Sequence, residues 1–313
     1  MMKRCLYCYK ELAESEIDFH TKCSKKMFGF AAPPLVPFNE KDMEELASKI
    51  IYDSKTVAGV QPKLSLTVLS KNNEPKRFTI VGLLGDYILK PPTIIYPQLP
   101  EVEDLTMKLA SIAQIQVVPH SLIRIQSGNL AYITKRIDRK KNVKIHMEDF
   151  CQLTERLTED KYHGSHEQIV KVINKFSSRP GLDIINFYEQ VLFSFLTGNA
   201  DMHLKNFSLI YENPDEVYLT PAYDMVATFL VNPADDEELA LTLNGKKKKI
   251  TKRDFEIAFT VAKLDAKQQE NIFNKMLKAK AKWIDLIGIS FLTDELKTKY
   301  EHLIQERFQR LSI

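Results

Sequence analysis

The sequence lacks most of the features that mark membrane, fibrous or disordered proteins. It contains no apolar run of membrane-spanning length, and its first residues, MMKRCLYCYK, lack the apolar core of a secretory signal. Only 10 glycines and 14 prolines occur among 313 residues, too few for a fibrous or disordered chain. We therefore expect a cytoplasmic protein with no membrane partner, and the sequence leaves export into another cell open.

A strong charge of either sign is also missing. The formal net charge is +3, so composition does not predict a nucleic-acid or membrane partner. Apolar residues make up 44% of the chain and charged residues 27%, as in ordinary globular proteins. A chain of this length can form two globular lobes without disulfides.

Cysteine is scarce, and three of the four cysteines lie close to the first residue. Cys5, Cys8, His20 and Cys23 form the pattern C-x2-C-x11-H-x2-C. Two short chelating pairs separated by a loop of this length are typical of a tetrahedral Zn²⁺ site. The alternative is a small cluster of reduced thiols that binds no metal.

Hydrophobic periodicity predicts strands first and helices later. Leu64, Leu66 and Val68 alternate with polar residues as on a half-buried strand, and a hairpin is expected to turn at 127–129. Pro100 opens a helix between these strands, and the proline-rich segment 31–40 suggests a linker. From about residue 145 the pattern is helical, and Gly198 is placed to end one long apolar helix.

The pattern predicts an α+β fold in three parts. These parts are a Cys/His segment over residues 1–30, a strand-rich N-lobe over 31–140 and a helical C-lobe over 141–313.

The stretch GNADMHLKNFSL, residues 198–209, follows the long apolar helix and concentrates polar side chains on a loop. An aspartate followed five residues later by an asparagine fits the catalytic loop of phosphoryl transfer. In that chemistry Asp201 accepts the proton of the attacking hydroxyl, while Asn206 and the later Asp224 bind Mg²⁺. Read singly, each aspartate is equally well explained as a helix cap or turn residue, and His203 as an ordinary loop histidine.

A nucleotide also requires a cation and a phosphate cover. Lys90 ends a predicted strand, and Glu103 lies on the inward face of the next helix, so the two are expected to pair. Gly59 marks a weak glycine-rich loop. Lys90 is otherwise explained as an edge lysine, and Glu103 as compensation of the helix dipole.

Several motifs together resemble the HipA-like serine/threonine kinases, the toxins of bacterial toxin–antitoxin operons. They include TVAGVQPKLSL, YILKPP, LPEVEDLTMKLA, ITKRIDR, KYHGSHE, GNADMHLKNFSL and LTPAYDMV, and they run from about residue 50 to the end. In length and layout the chain is most similar to HipT, the short form found in HipBST-type operons.

The resemblance implies a two-lobed protein-kinase-like fold with ATP and Mg²⁺ as cofactors. It implies Asp201 as catalytic base, His203 as a supporting loop residue, Asn206 and Asp224 as metal ligands, and Lys90 on the phosphates.

The same resemblance assigns the remaining contacts to ATP. The backbone of Lys135 and Ile137 lies at the hinge that meets adenine. The glycine-rich loop comprises Thr56, Val57, Ala58 and Gly59. Family members carry an autophosphorylated serine just before V-A-G, which makes Thr56 the candidate here.

Family analogy implies a protein substrate, an aminoacyl-tRNA synthetase, whose phosphorylation inhibits translation. It also implies an antitoxin of HipB type and a small HipS-like protein as partners, with DNA bound only through the antitoxin. Two other functions remain open: a small-molecule kinase of the aminoglycoside or choline type, and a non-catalytic kinase-shaped binding module. The lysine run 246–249 is either a solvated hairpin tip or a contact for tRNA, operator DNA or an acidic protein surface.

Overall fold

The computed structural model describes residues 3–43, 45, 63–70, 74–81, 85–140, 143–213, 215–232 and 236–313. The strands in chain order are β1 Leu64–Leu69, β2 Arg77–Ile80, β3 Tyr87–Lys90, β4 His120–Arg124, β5 Leu130–Lys135, β6 Arg139–Lys140, β7 Val143–Lys144, β8 His146–Asp149, β9 Ser208–Asn213 and β10 Glu216–Leu219. The helices with stated bounds are α1 Thr21–Phe28, α2 Leu99–Ile112, α3 Phe150–Leu153, α4 His166–Phe176, α5 Pro180–Thr197, α6 Thr228–Val231, α7 Lys252–Val261, α8 Ala266–Gly288 and α9 Asp294–Leu311.

The chain divides into two compact units. The first comprises Met1–Asp104 and Val118–Asn142, and the second comprises Leu105–Val117 and Val143–Ile313. The Cys/His segment therefore belongs to the strand-rich unit. The chain passes from one unit to the other at three points, and the first of them lies inside α2, between Asp104 and Leu105. Among the described residues, no helix has the length and apolar character needed to cross a membrane.

A five-stranded antiparallel sheet forms the first unit, in the order β2-β1-β3-β5-β4. The predicted strand at residue 64 is confirmed, because Leu64 and Leu66 are buried while Ser65 and Thr67 are half-buried. The predicted hairpin is confirmed as well, since β4 and β5 pair in register and Gly128 takes a left-handed conformation in the connection.

The proline-rich segment that follows α1 is not a free linker, so that interpretation is wrong. The amide of Leu35 donates to the carbonyl of Lys76 at 2.9 Å, and the amide of Phe78 donates to the carbonyl of Leu35 at 2.8 Å. Val36 forms a further bridge with Ile125. Proline is tolerated at sheet edges, and the extended backbone it favours allows the intervening residues to pair.

The long helix α5 was predicted correctly. Pro180 occupies its first turn, where the missing amide costs nothing. Its side chains from Phe187 onward are buried, and Gly198 ends the helix with φ 68°. The apolar character of this helix explains why it lies in the core of the second unit.

A three-stranded antiparallel sheet in the second unit, in the order β10-β9-β8, was not predicted. The residues of β8 read His-Met-Glu-Asp, which shows no apolar alternation, and only their pairing with β9 makes them a strand. Asn244 and Gly245 form a hairpin turn, since both residues have positive φ and the flanking Leu243 and Lys246 exchange two hydrogen bonds.

Candidate active site

The first unit contains a buried ion pair between a strand and a helix. Lys90, at the end of β3, places its Nζ 2.5 Å from Oε1 of Glu103 on α2, and both side chains are buried. The Nζ also lies 5.4 Å from the centre of the Tyr132 ring. The pairing expected from the sequence is therefore present, and its role toward ATP stays a prediction.

The local structure explains why these two side chains meet. Tyr87, Leu89 and Lys90 are buried along β3, and α2 buries Val102, Glu103 and Met107. A buried carboxylate and ammonium compensate each other's loss of hydration, which holds the lysine in one orientation. A charged lysine fixed in this way is suited to binding phosphate oxygens.

In the second unit, a conformation that suits glycine turns the chain from α5 into the polar loop 199–206. Gly198 has φ 68°, and a Cβ at this position would lie 2.5 Å from Cδ2 of Leu303. Its carbonyl accepts hydrogen bonds from the amide of Phe229 at 3.1 Å and the hydroxyl of Thr228 at 3.3 Å. The start of the loop is therefore held by backbone geometry and by α6.

The loop is closed by hydrogen bonds that use the carbonyl oxygen of Asp201. Nδ2 of Asn206 donates to the carbonyl oxygen of Asp201 at 2.8 Å, and the amide of His203 donates to the same carbonyl at 2.8 Å. These bonds use the backbone of Asp201 and the nitrogen of the Asn206 side chain. The carboxylate of Asp201 and the amide oxygen of Asn206 play no part in closing the loop.

The carboxylate of Asp201 has a partner that sequence reasoning did not identify. The hydroxyl of Tyr162 donates to Oδ1 of Asp201 at 2.6 Å. Tyr162 lies 39 positions earlier in a short turn between α3 and α4, so no local spacing relates the two residues. The tyrosine holds the aspartate in one orientation.

The side chain of His203 is buried, neutral and in contact with Tyr162. Burial lowers its pKa to about 4, against an opposing effect of the Asp201 charge. The ring meets Tyr162 edge-on at 5.0 Å between centroids, and its Nδ1 has no hydrogen-bond partner among the described residues. This arrangement fits the predicted supporting role and does not suit a general base at neutral pH.

Asp224 adopts a left-handed backbone conformation, with φ 59°. Such a conformation is uncommon for a residue with a side chain and is often found at functional sites. The preceding Tyr223 anchors this position, because its hydroxyl donates to the carbonyl of Lys205 at 3.0 Å and lies 2.6 Å from Oγ of Ser208. The side chain of Tyr223 thus connects the segment that carries Asp224 to β9 and to Lys205, the residue before Asn206.

The donors of the second unit fit a hard cation. Mg²⁺ prefers carboxylate and amide oxygens, and Asp224 and Asn206 supply one of each. Both are on segments whose backbone is fixed by hydrogen bonds. The two residues predicted as metal ligands are therefore of suitable chemistry, and metal binding stays a prediction.

The remaining predicted ATP contacts lie partly outside the described residues. The residues of the glycine-rich loop that lie outside the described part of the chain are Thr56, Val57, Ala58 and Gly59. Lys135 ends β5, and its amide donates to the carbonyl of Pro119 at 2.8 Å. This amide is therefore engaged within the sheet, and the adenine contact of Lys135 and Ile137 stays a prediction.

Local acidic groups neutralise most of the lysine run. Lys246 pairs with Asp254 at 2.8 Å, Lys247 pairs with Glu237 at 3.1 Å, and Lys248 pairs with Asp236. Ion pairs of this kind reduce the field that a distant acidic partner would experience. The structure favours the interpretation of this run as a solvated hairpin tip.

Comparison with known families identifies the chain. Residues 55–284, well over half of its length, match the HipA-like C-terminal domain. The fold is α+β and protein-kinase-like, and the protein belongs to the HipA-like family.

Similar individual proteins agree with this family. The candidate kinase Y4dM of Sinorhizobium fredii is 31% identical over 68% of this chain and 54% of its own length. The serine/threonine-protein kinase toxin HipA of Shewanella oneidensis is 27% identical over 63% of this chain and 49% of its own length. The chain thus spans about half the length of the curated relatives it matches.

Two solved structures share the fold. HipA of Shewanella oneidensis, solved with HipB and its operator DNA, has a TM-score of 0.70 at 21% identity and covers 88% of this chain and 72% of its own. The proinflammatory kinase CtkA of Helicobacter pylori has a TM-score of 0.54 at 15% identity, with 79% of this chain and 93% of its own covered. At these identities the likeness concerns the fold.

Proposed function

We propose that this protein is an ATP-dependent serine/threonine protein kinase that acts as the toxin of a bacterial toxin–antitoxin system. The observation that carries this proposal is the loop of the second unit. There the side chain of Asn206 donates a hydrogen bond to the backbone carbonyl of Asp201 and not to its carboxylate, which is the group proposed to accept a proton. Membership of the HipA-like family supports the same activity.

In the proposed reaction each of these residues has one role. Asp201 accepts the proton of a serine or threonine hydroxyl while the hydroxyl oxygen bonds to the γ-phosphorus and the bond to the bridging oxygen of ADP breaks. Asn206 and Asp224 would hold Mg²⁺, which would supply neutralisation of the phosphate charge. Lys90, oriented by Glu103, contacts the phosphates, and Tyr162 keeps the carboxylate of Asp201 in position.

The finer parts of the proposal rest on family resemblance. The substrate is a protein, in particular an aminoacyl-tRNA synthetase, and Thr56 is the site of autophosphorylation in the glycine-rich loop. The partners are an antitoxin of HipB type and a small HipS-like protein, with DNA reached only through the antitoxin. The related HipA structure that contains HipB and operator DNA supports this choice of partner.

Intact-mass analysis tests the proposal directly. The full chain is incubated with Mg²⁺ and ATP, alone and with a set of purified aminoacyl-tRNA synthetases. We expect added phosphoryl groups on the chain at Thr56 and on one synthetase. The Asp201→Asn variant is expected to lose at least about a thousandfold in rate, because the carboxylate that receives the proton is gone.

Asp215→Asn is the matched control, since this exposed aspartate lies in the turn between β9 and β10. It is expected to react like the wild type. Full activity of Asp201→Asn would contradict the assigned base. Transfer to aminoglycosides or choline, with none to any protein, would replace the protein-kinase proposal by the small-molecule one.

A further inference from the structure

The Cys/His segment of residues 3–29 brings four metal-ligating side chains together. The ligand atoms of Cys5, Cys8, His20 and Cys23 all lie within 4.8 Å of one another. Nδ1 of His20 lies 3.4 Å from Sγ of Cys8 and 3.7 Å from Sγ of Cys23. With zinc bonds of about 2.3 Å to sulfur and about 2.0 Å to nitrogen, a tetrahedron has sulfur–nitrogen edges of about 3.5 Å. The observed separations match these edges.

The second nitrogen of His20 fixes which ring atom faces the sulfurs. Nε2 lies 2.9 Å from the carbonyl oxygen of Glu11. A carbonyl oxygen only accepts, so Nε2 carries the hydrogen and Nδ1 presents its lone pair to the cysteines. A backbone carbonyl behind a histidine is the usual support of a zinc ligand, because it sets both the tautomer and the ring orientation.

The backbone of the segment has the shape that a chelating pair requires. The amide of Cys5 donates to the carbonyl of Lys10 at 2.9 Å, and the amide of Tyr9 donates to the carbonyl of Cys5 at 2.8 Å. Tyr9 has φ 62°, which turns the chain sharply after Cys8. His20 lies just before α1 and Cys23 lies in its first turn, so the second pair is held by the start of a helix.

The chemistry of the set and its setting favour zinc. Three thiolates and one imidazole leave a single negative charge around Zn²⁺, and this segment carries more basic than acidic side chains. The segment is too short to form a large apolar core, and a structural metal commonly supplies the missing stability in such segments. The fourth cysteine, Cys151, is buried in the second unit and is no part of the cluster.

We propose that Cys5, Cys8, His20 and Cys23 form a structural zinc site that fixes the Cys/His segment onto the sheet of the first unit. The hydroxyl of Tyr9, directly after Cys8, donates to Oδ2 of Asp104 at 2.8 Å within the core. Asp104 lies on α2 and also contacts Nδ1 of His120 at 2.7 Å.

The segment has further contacts with the sheet. The ring of Phe28 packs against those of Phe78 and Tyr87, at 6.0 and 6.1 Å between centroids. Because Tyr9 binds Asp104, the residue next to Glu103, zinc that orders Tyr9 also stabilises the part of α2 that presents Glu103 to Lys90. The test of this site measures metal content and not phosphoryl transfer, so the two proposals succeed or fail separately.

Elemental analysis of the full chain, purified without chelator, tests the site. We expect about one zinc per chain in the wild type and in Cys151→Ser, the matched control, and much less than one in Cys8→Ser. His20→Cys is expected to retain zinc through four thiolates, whereas His20→Phe is expected to lose it. This pair separates loss of a ligand from a general failure to fold.

Cobalt substitution gives a second measurement on the same protein. Co²⁺ at this site is expected to show the intense visible absorption of tetrahedral thiolate coordination, and added Zn²⁺ is expected to abolish it. Less than a tenth of one metal per chain, with all thiols freely reactive and no cobalt absorption, would overturn the proposal. Iron in place of zinc would overturn the choice of metal.

Discussion

The two units hold their charged side chains in opposite ways. In the first unit, Lys90 and Glu103 are both buried and satisfy each other at 2.5 Å. In the second unit, Asp201 and Asp224 are half-buried, and hydrogen bonds to backbone and tyrosine hold the segments that carry them. The pair of the first unit depends on charge compensation, whereas the loop of the second unit depends on backbone geometry.

The difference separates groups that orient a ligand from groups that react with it. A buried ion pair has a fixed geometry, and loss of one partner leaves the other charge poorly compensated in the core. A half-buried carboxylate at the surface keeps part of its hydration, so its removal changes chemistry more than stability. Each of the following changes tests one side of this comparison.

Glu103→Gln is expected to have the largest effect on stability. The amide keeps the shape of the side chain but no longer compensates the charge of Lys90, so the free energy of unfolding should fall by about 3 to 5 kcal/mol. Chemical denaturation measures this loss. Asp201→Asn is expected to change stability little, and Glu295→Gln, which removes an exposed helix pair with Lys299, is expected to have no measurable effect. Similar losses in all three variants would contradict the comparison.

Protonation of His203 is expected to weaken the second unit at low pH. Its pKa is about 4 in the folded chain and about 6.5 when unfolded, so between these values the unfolded chain binds more protons. Stability is therefore complete above about pH 6.5 and falls as pH is lowered to 4, by about 3 kcal/mol from this residue.

The measurement is the free energy of unfolding at several pH values for the wild type and His203→Asn. The stability difference between the two should move in favour of the variant as pH falls. His166, also buried with a pKa lowered to about 4, remains in both proteins and serves as the internal reference. A pH-independent difference would show that His203 is not the titrating group.

Gly198→Ala is expected to destabilise the loop by backbone strain. The left-handed conformation costs a side-chain residue about 1 kcal/mol, and a Cβ 2.5 Å from Cδ2 of Leu303 adds to this, for a total of about 2 kcal/mol. Gly181→Ala, near the start of the same helix, is the matched control. Nothing lies within 4 Å of its added Cβ, so a gain of up to about 1 kcal/mol is expected. Equal shifts in melting temperature would refute the argument from geometry.

Tyr162→Phe is expected to have the smallest effect. Loss of the hydroxyl that orients Asp201 should lower kcat about tenfold, which corresponds to about 1.4 kcal/mol, and leave KM for ATP unchanged. Steady-state kinetics of acceptor phosphorylation, at varied ATP concentration, measures both constants. An increase in kcat would mean that the tyrosine competes with the substrate hydroxyl for the carboxylate.

Much of the fold was readable because its signals are local. The alternation in β1, the buried face of α5 and the glycine that ends it are all patterns within one element, and all three are confirmed. The strand β8 has no such pattern, because its hydrogen-bond partner lies about 60 residues away in β9. The proline-rich segment was misread for the same reason, since its pairing partners follow much later in the chain.

The sequence by itself determined the local geometry of the two polar clusters. Asp201 and Asn206 meet because five residues span one tight loop, and the cysteine and histidine pairs meet because each spans a single turn. Only the tertiary structure decided that Tyr162 binds Asp201, that Tyr9 binds Asp104 and that Asp224 is left-handed. These features depend on side chains brought together from distant elements by burial of the core, which no short spacing encodes.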